Sequence, residues 1–469
     1  MRPSPATEHP HQHTSGLAMR LTRYAVALAA GCCATAAQAN ALLDVYQQAL
    51  ANDKTFQAAQ FQRDAALQAK PLAMANLLPQ IGAQASYTQN NTSGTDASSS
   101  GSGSSSGNNT DVETKTSAYG VSLTQSIFDW SAIQKLRQST DQVALAETGY
   151  RASQQDLILR VATAYFNVLA AADTLRFSQA ENQAVGRQLE QSKQRFEVGL
   201  SAITDVQEAQ ARYDLTVASL INAETALSSA RRVLAETTGG TDNASGAVPE
   251  DMPLAGPDPQ TPATWIEAAR KDNLSVLAAR LQAEIAKKDI QIAQAGHLPT
   301  LSLQGSYSNS DSDVDYSGVG TFPRDSEGTS IGVVAKLPLF AGGAVRAGVK
   351  AASSTSSQRQ AQLESATRTA ERQTGDAYQG VLSGIARVKA YKQAVISSKT
   401  ALEASEVGLQ VGARTSIDVL NAQQQLYSAE RDYARARYDY LLSVLQLKAY
   451  AGRLVEADLA EIDRLLVGG

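Results

Sequence analysis

The sequence predicts a mainly α-helical chain that also contributes to a β-barrel, with one plan repeated twice in tandem. Three observations carry this reading. Residues 130–198 and 343–411 are two proline-free stretches of 69 residues each. Two pairs of short segments alternate apolar and polar residues with period two, the strand signature. The two halves also match each other at a nearly constant offset.

The leader comes first. Arg20 and Arg23 precede an apolar run, 24–37, which ends in Ala37-Gln38-Ala39 before Asn40. A basic start, a short apolar core and a small-x-small site make a secretory signal peptide over 1–39, too short for a membrane helix. Met19 is an alternative start, since 1–18 add nothing to the signal. A lipoprotein reading, with Gly31 before a lipidated Cys32, is the rival.

Without the leader the chain has no cysteine, one histidine (His297) and a net charge of −7; the full 469 residues carry −5. This excludes a Cys-based metal site, a disulfide framework and a Cys nucleophile. It argues against nucleic acid as a partner, which needs a basic face. No cofactor, metal site or enzyme activity is expected. After the leader no stretch reads as apolar enough to span a bilayer as a helix. A membrane crossing would then require a closed barrel, in which strand pairing satisfies every backbone group.

Proline marks the domain plan. None lies between Pro79 and Pro249 or after Pro338, while Pro249, Pro253, Pro257, Pro259 and Pro262 crowd together. The expected division is a first repeat at 40–239, a linker at 240–262, a second repeat at 263–452 and a tail at 453–469. Ala164-Tyr165, Val198-Gly199, Asp205-Val206 and Gly239 match Ala377-Tyr378, Val411-Gly412, Asp418-Val419 and Gly452, all at an offset of 213. Leu78-Pro79 matches Leu298-Pro299 at 220.

Each half should run helix, strand, loop, strand, long helix, turn, shorter helix. The opening helices are expected at 41–77 and 263–297, with Pro71 kinking or ending the first. In the strands Tyr119, Val121, Leu123 and Ile127 share one face; Ile331, Val333, Ala335, Leu337 and Leu339 do the same in the second half. The segments 92–110 and 308–329 are rich in Ser, Gly, Asn, Thr and Asp and read as long polar loops. Each long helix would be about 100 Å at 1.5 Å per residue. The returning helices, 205–238 and 418–451, are half as long, and an opening helix stacked on each would make up the difference. Val419, Ala422, Leu426, Ala429, Tyr433, Ala436, Tyr440, Ser443 and Leu447 step by three and four, an antiparallel coiled-coil seam. Trp130, just after a strand, suits an interfacial anchor. His297, where a helix meets a strand, suits a structural role.

Four strands cannot close a membrane barrel, for which eight is about the minimum. The chain must therefore oligomerise. Spacing alone leaves two copies and three copies both open.

Several ordered motifs resemble the TolC family of outer-membrane exit ducts, which serve multidrug efflux pumps and type I secretion systems. They are Gln194-Arg195-Phe196-Glu197-Val198-Gly199-Leu200-Ser201-Ala202-Ile203-Thr204-Asp205-Val206-Gln207 and Val411-Gly412-Ala413-Arg414-Thr415-Ser416-Ile417-Asp418-Val419-Leu420, with Thr124-Gln125-Ser126-Ile127-Phe128-Asp129, Ala164-Tyr165-Phe166-Asn167-Val168-Leu169 and Gly296-His297-Leu298-Pro299-Thr300. The resemblance covers nearly all of the mature chain. It implies a homotrimer in outer-membrane lipid, with a twelve-stranded barrel and a long periplasmic α-helical barrel. It also implies a closed periplasmic tip, opened when a periplasmic adaptor (membrane fusion) protein and an inner-membrane pump or ABC transporter dock.

Carried over residue by residue, the resemblance places a gate at the two helical turns. Arg414 is the donor, with its five-donor fork; Thr204 and Asp205 are the acceptors. Asp418 matches an aspartate that rings the narrowest point, where three copies would repel and could bind a cation. Leu409 stands where a gate tyrosine is expected, and Asn421 where a second ring aspartate is expected. Both departures imply a looser gate and weaker cation block. The adaptor would dock on Val198, Gly199, Leu200, Val411, Gly412 and Ala413. The plainer reading of the same residues is capping: Thr204 and Asp205 at a helix start, the glycines at helix ends. No G-x-x-x-x-G-K-[ST] motif is present, so energy must come from a partner. The competing function is a non-pore secreted coiled-coil surface scaffold.

Overall fold

The structure is a computed structural model that describes residues 41–95, 109–240, 244, 246, 248–317 and 319–467. The signal peptide, Met19 and Cys32 lie outside the described residues, as does most of the Ser/Gly segment at 96–108.

The order is α1 (Ala41–Asn52), α2 (Lys54–Leu67), α3 (Ala69–Ala75), β1 (Gln80–Thr95), β2 (Asn109–Phe128), α4 (Trp130–Glu197), α5 (Ile203–Thr238), α6 (Pro262–Asp272), α7 (Leu274–Gln294), β3 (Thr300–Tyr316), β4 (Gly320–Lys336), α8 (Ala344–Gln410), α9 (Ser416–Tyr450) and α10 (Glu456–Val467). A 3-10 turn, Ala295–His297, joins α7 to β3, and His297 is exposed there.

The four strands form one antiparallel sheet in sequence order, β2 of the first repeat pairing with β3 of the second. Its register puts like with like. Ile81 pairs Leu123, which pairs Gly305, which pairs Ile331; Ala83, Val121 and Tyr307 follow two residues on. Direct cross-strand partners share a face, so these residues build one apolar face across all four strands. The alternate positions, Gly82, Ser122, Ser306 and Ser330, build a polar one. Ile331 and Val333, on the apolar face, are largely exposed in the single chain. Among the described residues, the outer edges of β1 and β4 have no strand partner. Only neighbouring copies can close this sheet.

The strands are longer than the sequence suggests. Most of 308–329, expected as a loop, is strand: β3 runs to Tyr316 and β4 begins at Gly320. Polar composition hides the strand because both faces are wet beyond the apolar band. At the other end β4 stops at Lys336, so Leu337 and Leu339 leave the sheet.

Helices α4 and α8 have 68 and 67 residues, each about 100 Å long. Asp129 caps α4, accepting the Ala132 N–H at 3.1 Å. One stretch of α4 is, against expectation, long and apolar enough to cross a bilayer by composition, but over half of it is buried in the protein. Val161, Tyr165, Phe166 and Val168 pack there against α1, α9 and α10. It is a core helix.

The opening helices are broken rather than continuous. Asp53 ends α1 and caps α2, while Asn273 ends α6 and caps α7. A second break, at Gln68, separates α2 from α3; it falls three residues before Pro71, which has no N–H for the Leu67 carbonyl four residues back, so the first opening helix is interrupted there as expected and Pro71 sits in the first turn of α3. The breaks at Asp53 and Asn273 are where the returning helices arrive. Asn52 Nδ2 donates to Thr238 O at 3.0 Å, and Asn273 Nδ2 donates to Tyr450 O at 2.9 Å. Both asparagines satisfy carbonyls that a helix end leaves open. Gly452 lies so close that a Cβ would collide with the Asp272 carbonyl. The end-to-end stack is thus built twice with the same chemistry.

Along α9 the predicted seam is buried at Val419, Leu426, Ala429, Tyr433, Ala436, Tyr440 and Leu447. Tyr433 and Tyr440 do more than fill it. Their hydroxyls donate to Glu250 O and Ala255 O, Tyr378 OH donates to Gln260 O, and Arg437 Nη1 donates to Val248 O. The proline-rich linker is therefore strapped across α8 and α9. The expected tail at 453–469 is mostly the helix α10, whose Leu459, Ile462 and Leu466 join the main core.

Candidate functional site

The end of the shaft farthest from the sheet carries both helical turns. Each is a Schellman closure. Leu200 N–H donates to Arg195 O (2.7 Å) and Gly199 N–H to Phe196 O (2.9 Å); Ala413 N–H donates to Gly408 O (2.8 Å) and Gly412 N–H to Leu409 O (3.3 Å). Gly199 and Gly412 have φ of 75° and 77°, the left-handed region that disfavours a Cβ. Val198, Leu200 and Val411 are each at least 70% exposed, so both turns present bare apolar tips. Gly412 and Ala413 are exposed beside them.

The two turns are alike in backbone and unlike in side chains. At the start of α9, Thr415 and Asp418 form a capping box. Thr415 N–H and Oγ1 donate to Asp418 Oδ2 at 2.9 and 2.8 Å, and Asp418 N–H donates back to Thr415 Oγ1 at 3.3 Å. These bonds from Thr415 hold the Asp418 carboxyl below the usual carboxylate range. In α5 the matching residues are Ala202 and Asp205, and Ala202 has no hydroxyl to give. Among the described residues, the half-buried carboxylate of Asp205 therefore takes no hydrogen bond or ion pair. Thr204, exposed in the same turn, caps nothing either; α5 has no side-chain cap at all.

Arg414 is exposed, and its guanidinium makes no ion pair or hydrogen bond among the described residues. Its stem folds back over Gly408, where a Cβ would stand 2.5 Å from Arg414 Cγ. Leu409 is half-buried in the last turn of α8. One chain thus does not join Arg414 to Thr204 or Asp205; donor and acceptors both remain open. Asn421 is engaged: Arg212 Nη2, from α5, donates to its Oδ1 at 3.0 Å.

Several contacts at the tip escape a reading of the sequence. Ser416 accepts from Gln188 Nε2 at 3.0 Å and lies 3.3 Å from Ser192 Oγ, tying the start of α9 to the end of α4. Val185, Leu189, Ala209 and Leu420 form a small core beneath that link. Higher on the shaft Arg431 pairs with Glu181 (2.7 Å), and Tyr438 OH donates to Asp173 (2.8 Å). No periodic signal marks such cross-repeat pairs.

A four-stranded arc with one apolar face, unable to close alone and mounted on a shaft about 100 Å long, defines a class. It is a trimeric outer-membrane duct whose barrel is shared among the copies. The chain belongs to the outer membrane efflux protein family, whose model matches residues 45–240 and 265–453. It is 38% identical to the outer membrane protein TolC of Vibrio cholerae over 438 residues, 93% of this chain and 96% of that relative. It is 30% identical to the alkaline protease secretion protein AprF of Pseudomonas aeruginosa, over 91% of this chain and 88% of that one. The Campylobacter jejuni CmeC outer membrane channel shares its fold, with a TM-score of 0.72 at 18% identity, over 91% of this chain and 90% of that one. The protein is an exit duct of the bacterial outer membrane, which removes the scaffold alternative. Its relatives are channel proteins, not enzymes.

Proposed function

We propose that the duct is a passive channel gated at its periplasmic tip by links from Arg414 of one copy to Thr204 and Asp205 of the next. The carrying observation is that these residues occupy the two tip turns and that their side chains take no hydrogen bond or ion pair among the described residues. Threefold symmetry repeats any such link three times around the axis. Breaking the links would let the α8–α9 pair relax outward, as an iris opens. Asp418 would line the narrowest ring, with its charge oriented by its own capping box. The tips around Val198, Gly199, Leu200, Val411, Gly412 and Ala413 would receive a periplasmic adaptor, and an inner-membrane pump or ABC transporter would supply the energy. Relatives named for efflux and for protease secretion support both kinds of service.

Single-channel conductance of the mature trimer in a planar bilayer tests this. Arg414→Ala and Asp205→Ala should each raise a small resting conductance, and the double variant should add little to either. Unchanged conductance in all three, with trimers intact, would move the gate elsewhere.

A further inference from the structure

The barrel wall sorts its charges by face. Successive strand residues point to opposite faces, so the register assigns each charge a side. Asp111, Glu113, Asp311, Asp313, Asp315, Asp325 and Glu327 all continue the face that carries Val121, Tyr307 and Ile331. They stand outside the barrel, beyond the apolar band, with Lys115 among them. The polar face becomes the lumen wall once neighbouring copies close the sheet. It is built mostly of Ser, Thr, Gly, Gln and Asn. Among the described residues it holds no Asp or Glu, and its charged side chains are Arg324 and Lys336 alone.

Lys336 sits at the shaft end of β4, whereas Arg324 sits near the exit end. Arg324 is exposed, and its guanidinium makes no hydrogen bond or ion pair among the described residues. Ser312 lies directly across from it and donates to its backbone carbonyl at 3.2 Å. Ser326 and Phe322 flank it on the same face. Phe322 packs edge-on against Tyr316, with ring centroids 5.9 Å apart at 71°, and pairs with Val314. An apolar lip therefore stands just above the guanidinium.

The neighbouring copy does not neutralise Arg324 either. β4 is an edge strand and closes on β1 of the next copy, and β1, Gln80–Thr95, carries no charged side chain on either face. This holds whatever the register between copies. Threefold symmetry then sets three guanidinium groups around one lumen with no carboxylate among them. Charges of one sign within low-dielectric walls concentrate ions of the other sign, and rings of Arg favour anions in pores. The planar fork of Arg also pairs bidentately with carboxylate and phosphate.

We propose that Arg324 is the charge-selecting residue of the exit: its three copies form a cationic ring beneath the aromatic lip that draws the carboxylate and phosphate groups of cargo through the barrel. The inference rests on the closed barrel and is independent of the tip, at the other end of the shaft.

The test uses the mature trimer in detergent, with inositol hexakisphosphate as a compact polyanionic probe. Titration calorimetry should find one probe per trimer, the stoichiometry of a site on the threefold axis. Arg324→Gln should weaken binding by about tenfold or more at fixed salt, since each copy loses a charge-assisted pair. Arg324→Lys keeps the charge and should lose only a few-fold, and Lys115→Gln, on the outer face, should change nothing. In planar bilayers the probe added on the barrel side should block wild-type current and spare Arg324→Gln. Arg324→Ser, which matches the hydroxyls around it, replaces the Gln variant if that one does not assemble. Asp96 lies outside the described residues, and Asp96→Asn should leave the affinity unchanged. No binding, three probes per trimer, equal affinity in wild type and Arg324→Gln, or a large gain in Asp96→Asn would each overturn the proposal.

Discussion

The stem of Arg414 lies across Gly408: a Cβ on Gly408 would stand 2.5 Å from Arg414 Cγ and 3.1 Å from its Cβ. In the first repeat the sizes are exchanged, with Arg195 at the position of Gly408 and Ser201 at that of Arg414. Each turn therefore carries one large side chain and one small one, on opposite partners. This gives Arg414 its direction, back along the last turn of α8. Gly408→Ala should gain up to about 1 kcal/mol of helix propensity and yet force the stem of Arg414 aside. We expect thermal stability to hold and resting conductance to rise. In an Arg414→Ser background the alanine should change nothing further. A Gly408→Ala channel that conducts like wild type would refute this positioning role.

Thr415→Ala removes the capping box of α9. Loss of such a cap costs about 1 kcal/mol, roughly a fivefold change in local opening. Amide exchange at 416–419 should accelerate by about that factor, with α5 unaffected because it has no side-chain cap to lose. The same change frees Asp418. Its carboxyl is held low by the hydrogen bonds from Thr415, so the cap's contribution is present above the ordinary carboxylate value of about 3.9. It fades as pH falls through the lower folded value. Exchange in wild type and variant should therefore converge in strong acid. A difference that persists there would mean the cap does not act through the ionised carboxylate.

The tip shows what a sequence can and cannot reveal. The two turns, their glycines and their distance from the strands follow from a repeat at fixed offset, because backbone closure depends on local residue type. Asp205 and Asp418 look identical in that repeat. They differ because residue 202 is alanine where 415 is threonine, a signal readable only once the N-cap is known. The partners of Ser416 and Asn421 depend on how α4 and α5 lie against α9, which no single-helix period encodes. The broken opening helices have a related cause: Asn52 and Asn273 stop where a returning helix docks, a tertiary event. Polar strands beyond the apolar band escaped for the opposite reason, since water on both faces erases the alternation.

Asn421→Asp supplies a second carboxylate per chain near Asp418. Arg212 already donates to Asn421 at 3.0 Å, so the substitution turns a neutral acceptor into an ion pair without moving the helices. Three added charges around the axis should strengthen divalent-cation block, lowering the half-blocking concentration by roughly tenfold. Adding Arg212→Ala removes the neutralising partner and should lower it further. Block measured from the tip side of single channels checks both steps. If Asn421→Asp leaves block unchanged and Arg212→Ala does too, position 421 does not face the permeation path.

Arg160 holds the break between α1 and α2 against α4. Its Nη1 and Nη2 donate to Asp53 Oδ2 and Oδ1 at 2.8 and 3.2 Å, and its Nε donates to Asp156 at 2.8 Å. Asp53 is only 4% exposed and also caps α2 through Phe56 N–H. Burial works against its ionisation, but the bonds from Arg160 and Phe56 outweigh burial and hold the carboxyl below its usual range. Arg160→Ala leaves that carboxylate buried and short of donors, a loss of about 2 kcal/mol. Asp53→Asn, which keeps the cap and removes the charge, should cost less. The sign of the pH dependence follows from the depressed value. The pair stabilises fully above about pH 3.9, and its contribution disappears as pH falls through the folded value. Denaturant midpoints of wild type and Arg160→Ala should differ at pH 7 and draw together in acid. A gap of the same size at pH 2 would show that Arg160 acts by packing its stem rather than by charge.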